Sequence, residues 1–169
     1  RETTLVPTTI LRDTRERRPW TFEGCPVETR DVTLSTGDYA VPRHCSHDPE
    51  TDTYHPQVAV KRKSGHDFLT ALTWERFKRE LRRAIQWTQP LPVVVGTLWE
   101  PLLRNHGCMA WRDIHPNQVT GTVAAWTDHY DVAFHFTETR RRAELCTFLL
   151  LVRHSLVRRL DDTSLDEVD

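Results

Sequence analysis

Asp38 and Lys63 are an acidic and a basic residue of this sequence that could form a reactive pair. Asp38 follows the Gly37 turn, and Lys63 lies in the next long predicted strand. A carboxylate is a hard oxygen ligand that suits Mg²⁺, and a bound metal neutralises a phosphate and activates water. A lysine beside the metal orients that water or stabilises developing charge. Because such an Asp and Lys pair is common by chance, the surrounding residues must decide what it means.

Those surrounding residues form further groups in a fixed order. They are Asp13-Thr14-Arg15-Glu16, Gly37-Asp38, Lys61-Arg62-Lys63 followed by Asp67, and Trp74-Glu75-Arg76-Phe77-Lys78-Arg79-Glu80-Leu81. The pattern resembles the nuclease domain of the XPF/Hef family of structure-specific endonucleases, a branch of the restriction-endonuclease-like superfamily. That family carries D-x-R-E, G-D and E-R-K-x-x-x-D in this order. The resemblance runs from about Ile10 to about Leu150, which is nearly the whole chain.

The resemblance implies a three-layer α/β/α restriction-endonuclease-like fold with a central mixed sheet. It also implies a divalent metal, Mg²⁺ or Mn²⁺, and hydrolysis of phosphodiester bonds at flaps, forks or branched DNA in repair or recombination. Carried over by position, Asp38 is a metal ligand and Lys63 is the catalytic lysine. Asp13 or Glu16 helps to hold the metal or its water. By the same resemblance, Arg15 lines the site, and Arg62 and Asp67 complete the motif. Arg76 either faces DNA or supports the cluster of motif side chains.

Lys61 departs from the family pattern, which has a metal-ligating Glu at this position. The change reverses a charge beside a dication, and one pair of unit charges about 4 Å apart is worth about 4 kcal/mol at an effective dielectric constant near 20. Metal affinity should therefore fall sharply, and we expect cleavage to be absent or impaired.

Three explanations for Lys61 stay open. The substitution was introduced deliberately or by accident, since an active nuclease can be toxic to its host. Alternatively, the chain is a natural pseudonuclease that binds DNA or scaffolds a partner without cutting. In the third explanation another carboxylate, Glu16 or Glu80, replaces the missing ligand. The first is favoured slightly because the other motif residues are intact.

A basic stretch at residues 61–83 is hidden by the formal net charge of −1. It holds eight basic and three acidic residues. Its members Lys78, Arg79 and Arg83 lie opposite an apolar helical stripe, where they form either a solvated face or contacts to DNA phosphates. Trp20, in the loop after Asp13, is the tryptophan best placed to touch DNA, although tryptophans more often belong to a core.

Periodicity along the chain predicts the strands and helices that carry these residues. Strands are expected near residues 8–11, 28–34, 39–41, 58–63, 93–95 and 131–136, with the early ones in an antiparallel meander and residues 43–56 a polar loop. Helices are expected after Ser64, at 74–87, at 99–105, after Pro116 and from Thr137 onward. This order predicts an α/β sandwich around a mixed sheet. Residues 1–158 should form the nuclease domain and 159–169 an acidic tail or linker.

Four scattered cysteines without a C-x-x-C pair indicate free thiols and an intracellular chain, in the cytoplasm or nucleoid, or in the nucleus of a eukaryote. His44, Cys45, His47 and His55 offer zinc-type ligands. Their spacing matches no common zinc site, so the alternative interpretation is a polar loop that happens to contain histidines.

The apolar final helix and the helix around residues 119–126 could form a dimer face. The resemblance accordingly implies a homodimer or a heterodimer with a related subunit. The longest apolar run, residues 148–152, is too short to span a membrane.

Overall fold

The fold is built on one eight-stranded mixed sheet. The computed structural model describes residue 7 and residues 9–72, 75–88, 90–104 and 114–166. Its strands are β1 (Thr9–Asp13), β2 (Glu28–Leu34), β3 (Tyr39–Ala40), β4 (Cys45–Asp48), β5 (Thr53–Pro56), β6 (Ala59–Lys63), β7 (Leu91–Val95) and β8 (Val132–Phe136). Its helices are α1 (Gly65–Leu72), α2 (Glu75–Ala84), α3 (Trp99–Arg104), α4 (Pro116–Tyr130) and α5 (Arg140–Asp166). Trp74, which begins the last motif segment, lies outside the described residues.

The strand order β4-β5-β2-β1-β3-β6-β7-β8 corrects the predicted meander. β1 and β2 are parallel, whereas β3 is antiparallel to both β1 and β6. Residues 14–27 separate β1 from β2, and this connection is long enough for the crossover that parallel strands need. Residues 43–56 are also not one polar loop. They contain most of a short 3₁₀ turn, Pro42–His44, and the β4–β5 hairpin at the sheet edge.

Helices cover both faces of the sheet, which confirms the expected α/β/α class. On one face, residues of α1, α2 and α4 pack against Val93 and Val95 of β7. On the other face, Ala143 and Leu151 of α5 pack with Val94. The alternation of β7 side chains between the two cores follows from the period of two residues in a strand. The same alternation in β6 decides where the charged motif residues point.

α5 is longer than the sequence predicts. It continues to Asp166, so residues 159–166 are helical rather than a frayed tail. The division of the chain at residue 158 therefore does not coincide with the end of an element, and it stays a prediction. None of the helices in the described ranges is long and apolar enough to cross a membrane.

Candidate active site

Three strands bring Asp13, Asp38 and Lys61 together. The Asp13 amide donates to the Asp38 carbonyl at 2.9 Å, and the Asp38 amide donates to the Val60 carbonyl at 2.9 Å. Gly37 makes this approach possible, because its φ is +73° and a Cβ there would lie 2.8 Å from the Cβ of Ala59. The Gly37-Asp38 pair thus positions a carboxylate directly beside β6.

Lys61 forms an ion pair with Asp38 at the centre of the site. Its Nζ donates to Asp38 Oδ1 at 2.8 Å, and the backbone amide of Arg62 donates to Asp38 Oδ2 at 2.6 Å. Asp38 is buried, and only 21% of the Lys61 side chain is exposed. Both oxygens of the proposed metal ligand are therefore engaged by the chain itself.

The charge of Lys61 is retained in this setting. Burial alone lowers the pKa of Lys61, but the Asp38 ion pair and the negative charges of Glu80 and Glu16 raise it above the ordinary lysine value. Lys63 behaves differently: burial, followed by the positive charge of Lys61, lowers its pKa. The site thus contains one firmly charged lysine and one lysine with a weakened hold on its proton.

Lys63 lies against α2 rather than on a carboxylate. Its Nζ is 4.6 Å from the centroid of the Phe77 ring, a cation–π contact. Phe77 lies in the last motif segment, but no role at the site was predicted for it. The apolar stripe of α2 indicated that Phe77 faces the core, but only the packing of α2 on β6 shows that its ring contacts Lys63.

Asp13 is held by Arg15 in a two-pronged ion pair. Arg15 Nε donates to Asp13 Oδ1 at 2.8 Å, and Arg15 Nη2 donates to Asp13 Oδ2. Arg15 also donates its backbone amide to Asp13 Oδ1 at 2.8 Å and Nη2 to the Leu34 carbonyl at 2.6 Å. Bidentate arginine–carboxylate pairs are among the strong hydrogen-bonded contacts in proteins. Asp13, which is buried, is thereby committed to holding Arg15.

Arg62 points to the opposite face of β6 from Lys61. Its Nη1 donates to Glu16 Oε2 at 3.1 Å and to the Arg18 carbonyl at 2.6 Å. Burial and the charge of Asp38 raise the pKa of Glu16, and the charges of Arg62 and Lys61 oppose that rise. Glu16 is therefore a half-buried carboxylate whose main direct partner is an arginine.

The prediction that Trp20 contacts DNA is wrong. It is 2% exposed, stacks on Tyr39 with ring centroids 4.9 Å apart, and lies under the Arg62 guanidinium at 4.9 Å. The loop that carries it is tied to α5, because the Phe22 amide donates to Glu144 Oε1 at 2.5 Å. Trp20 is part of the core and offers no free ring face to a base.

Asp67 and the basic residues of α2 have separate places. Asp67 belongs to the start of α1, where its amide donates to Ser64 Oγ at 3.0 Å and its carboxylate accepts from the same hydroxyl at 2.7 Å. On α2 the described ion pairs include Arg76 with Glu80 at 3.4 Å and Lys78 with Glu75 at 2.7 Å. The exposed basic residues of α2 that remain are Arg79, Arg82 and Arg83.

The four candidate zinc ligands are not brought together. Cys45 and His47 are two residues apart on β4, so their side chains lie on the same face of the hairpin. His55 of β5 is the cross-strand partner of Ser46, so its side chain lies on the other face. His44 is hydrogen-bonded to Ser155 and His47 to Asp52, both at 2.8 Å, and His55 stacks on Trp87. The hypothesis that these four residues bind zinc is therefore wrong for this arrangement. The segment that carries Cys45, His47 and His55 is the β4–β5 hairpin.

The residues present do not fit a divalent metal as they stand. Within the described ranges, no group of three or more His, Cys, Asp or Glu side chains is arranged to hold a metal ion. Asp38 is engaged by Lys61 and Arg62, and Asp13 by Arg15. Glu16 and Glu80 lie near enough to act on the charge of Lys61, but neither completes a ligand set. Metal binding by Asp38, Glu16 and Asp13 stays a prediction.

The chain forms an α/β/α domain in which Asp13 and Asp38 lie beside β6, the strand that carries Lys61 and Lys63. The model of the ERCC4 domain matches residues 12–150, so this chain belongs to the ERCC4 domain family. The resemblance to the XPF/Hef nuclease domain is thereby confirmed.

Solved structures agree on the fold. XPF from Aeropyrum pernix matches with a TM-score of 0.64 and 19% identity, over 92% of this chain and 68% of that chain. The XPF from Aeropyrum pernix in complex with DNA matches with a TM-score of 0.63 and 19% identity, over 88% of this chain and 64% of that chain. No curated protein matches this sequence.

Proposed function

We propose that this chain is the nuclease domain of a structure-specific DNA endonuclease in which Lys61 leaves metal-dependent hydrolysis absent or impaired. The observation that carries the proposal is the 2.8 Å contact between Lys61 Nζ and Asp38 Oδ1. In the proposed active form, Mg²⁺ or Mn²⁺ bound at Asp38 would supply charge neutralisation and an activated water. An ammonium supplies positive charge but offers no coordination site for water. Cleavage of branched DNA by a Lys61→Glu variant tests the hydrolytic part of this proposal.

A second candidate, a natural pseudonuclease, is favoured by the extent of the ion pairing. Asp13 and Arg15 form a complete bidentate pair, and Glu16 is paired with Arg62. A site whose carboxylates are each matched by a basic side chain needs no metal for charge balance. Such a domain would recognise flap, fork or branched DNA, or support an active partner, without cutting.

DNA binding without metal is expected for both candidates. Three arginines of α2, Arg79, Arg82 and Arg83, are exposed, and the XPF from Aeropyrum pernix was solved in complex with DNA. Arginines that contact phosphates release counterions, so binding should weaken as salt rises. We expect the native chain to bind a forked duplex equally well in EDTA and in MgCl₂.

The double variant Arg79→Ala/Arg83→Ala tests this face. We expect fork affinity to fall about tenfold, and the slope of log K against log salt to lose about two units, because two phosphate contacts are removed. Fluorescence anisotropy of a labelled fork across a KCl series measures both quantities. Arg30→Ala/Arg43→Ala removes the same charge from exposed positions outside α2 and serves as the matched control. An equal loss in the control would show that net charge, rather than this face, governs binding.

We also propose pairing through α5 with a second copy or a related subunit. A groove of about 450 Å³ is lined by Leu98, Phe136, Leu145 and Leu149. Leu145 is 45% exposed and Leu149 is 55% exposed, which is unusual for neighbouring leucines on one helix. An apolar groove of this kind is typical of an interaction surface.

Leu149→Asp should disrupt that pairing, because a charge in a buried interface is strongly disfavoured. We expect sedimentation velocity to show a dimer for the native chain and a monomer for the variant. Gln86→Asp introduces the same charge at an exposed position just after α2, away from α5, and should leave the dimer intact. A native chain that sediments as a monomer at all concentrations would rule out homodimerisation and leave only pairing with a related subunit.

The free thiols of Cys25, Cys45 and Cys146 support the proposed intracellular location.

A further inference from the structure

We infer that the Lys61 ammonium is a tethered counter-ion that takes the place of a divalent cation against Asp38, and that shortening Lys61 turns the same pocket into a divalent-cation site. The inference deepens the proposed function, since it names what fills the site and rests on Lys61 being the residue that impairs hydrolysis.

The geometry places the ammonium where a cation would serve the carboxylate. Lys61 and Lys63 share one face of β6, but only Lys61 contacts Asp38, at 2.8 Å. The second oxygen of Asp38 accepts from the backbone amide of Arg62, so the carboxylate is fixed in orientation. This fixed carboxylate would remain in place if the lysine side chain were removed, because the amide belongs to the strand itself.

The charges around Lys61 point to a cation as well. The negative charges of Glu80 and Glu16, like that of Asp38, raise the pKa of Lys61. Glu80 Oε2 is buried and has no hydrogen-bond partner within the described residues. Without the ammonium, Asp38 Oδ1 would be a buried carboxylate oxygen that has lost its ionic partner, and carboxylate oxygens are the ligands that Mg²⁺ and Mn²⁺ prefer.

The test is a Mn²⁺ titration of the full chain followed by electron paramagnetic resonance of the free ion, with no DNA present. We expect the native chain to bind Mn²⁺ no better than a non-specific surface. Lys61→Ala should bind Mn²⁺ at least about tenfold more tightly than the native chain. This gain is a small part of the free energy that removing a positive charge from beside a divalent cation can supply. Adding Asp38→Asn to Lys61→Ala should abolish that gain, which would assign the new site to Asp38.

Two controls keep the outcome decisive. Lys63→Ala removes an equal charge from the same strand face, and we expect a smaller gain because Lys63 lies on Phe77. Lys61→Met keeps the side-chain length without the charge, and it carries the test if circular dichroism shows that Lys61→Ala is unfolded.

Native binding as tight as that of Lys61→Ala would overturn the inference, as would tight binding that survives Asp38→Asn. Because no DNA enters this experiment, its failure leaves the proposed DNA binding untouched. Conversely, loss of fork binding in EDTA would refute the proposed function without altering the Mn²⁺ result.

Discussion

Lys61→Glu is expected to cleave a forked DNA duplex in Mg²⁺ or Mn²⁺ at least about 100-fold faster than the native chain. The change removes the ammonium from Asp38 and adds a carboxylate at the position where the family has its ligand. An interaction of about 4 kcal/mol corresponds to a factor of about a thousand, and partial solvent screening reduces that figure. Single-turnover cleavage of an end-labelled fork or flap, followed by gel electrophoresis, measures the rate.

Two variants separate the possible causes of any gain. Lys61→Gln removes the positive charge without supplying a ligand, so it should stay within about tenfold of the native rate. Lys61→Glu/Lys63→Ala restores the ligand but lacks the lysine that the resemblance makes catalytic, and it should lose most of the gain. Cleavage by neither the native chain nor Lys61→Glu would support the natural pseudonuclease. Equal cleavage by both would show that Lys61 does not impair the site.

Asp38→Asn is expected to lower the free energy of unfolding by about 2–4 kcal/mol. Removing one partner from a buried ion pair leaves the other charge without compensation. Lys61 would lose its direct ionic partner, because its Nζ donates to Asp38 Oδ1, and its side chain is only 21% exposed. Urea unfolding at neutral pH, followed by circular dichroism, gives the free energy.

The sign of this effect distinguishes a filled site from an empty one. In an empty metal site, neutralising one carboxylate relieves repulsion among the acidic groups and stabilises the fold. Here the carboxylate balances Lys61, so the same change should destabilise. Adding Lys61→Met to Asp38→Asn should recover most of the loss, because both charges then disappear together. An Asp38→Asn variant more stable than the native chain would contradict the ion pair.

The motif residues could be identified from the sequence because they follow one another in the order that the family pattern has. Asp13 ends β1, Asp38 directly precedes β3, and Lys63 ends β6. The helix that follows them could also be predicted, because Ser64 Oγ accepts from the Asp67 amide and donates to the Asp67 carboxylate within one turn. Short-range signals of this kind act within one turn of helix or one strand and do not depend on distant contacts.

Other features depend on contacts between distant residues. The parallel pairing of β1 with β2 requires the intervening loop to cross back, and no local pattern in residues 14–27 reveals that path. Burial of Trp20 depends on the link from Phe22 to Glu144, two residues 122 positions apart. The β4–β5 hairpin escaped prediction because its strands are polar and lack the alternation that marks a half-buried strand.

The sequence predicted the electrostatic conflict at Lys61 but not how the chain resolves it. A charge reversal beside a metal ligand could have turned the lysine toward solvent. The structure instead directs the ammonium onto Asp38, and pairs Asp13 with Arg15 only two residues along the chain. The carboxylates predicted as metal ligands are thus the acceptors for neighbouring basic side chains.

Anomalous diffraction from crystals soaked in MnCl₂ would show whether Lys61 excludes a metal ion from Asp38, because it locates the ion rather than inferring it from activity. Crystals of the native chain and of Lys61→Glu would be compared under identical soaking conditions. We expect a manganese peak at coordination distance from Asp38 in Lys61→Glu and none beside Asp38 in the native chain. A manganese peak at Asp38 in the native crystals, with Lys61 displaced, would contradict it.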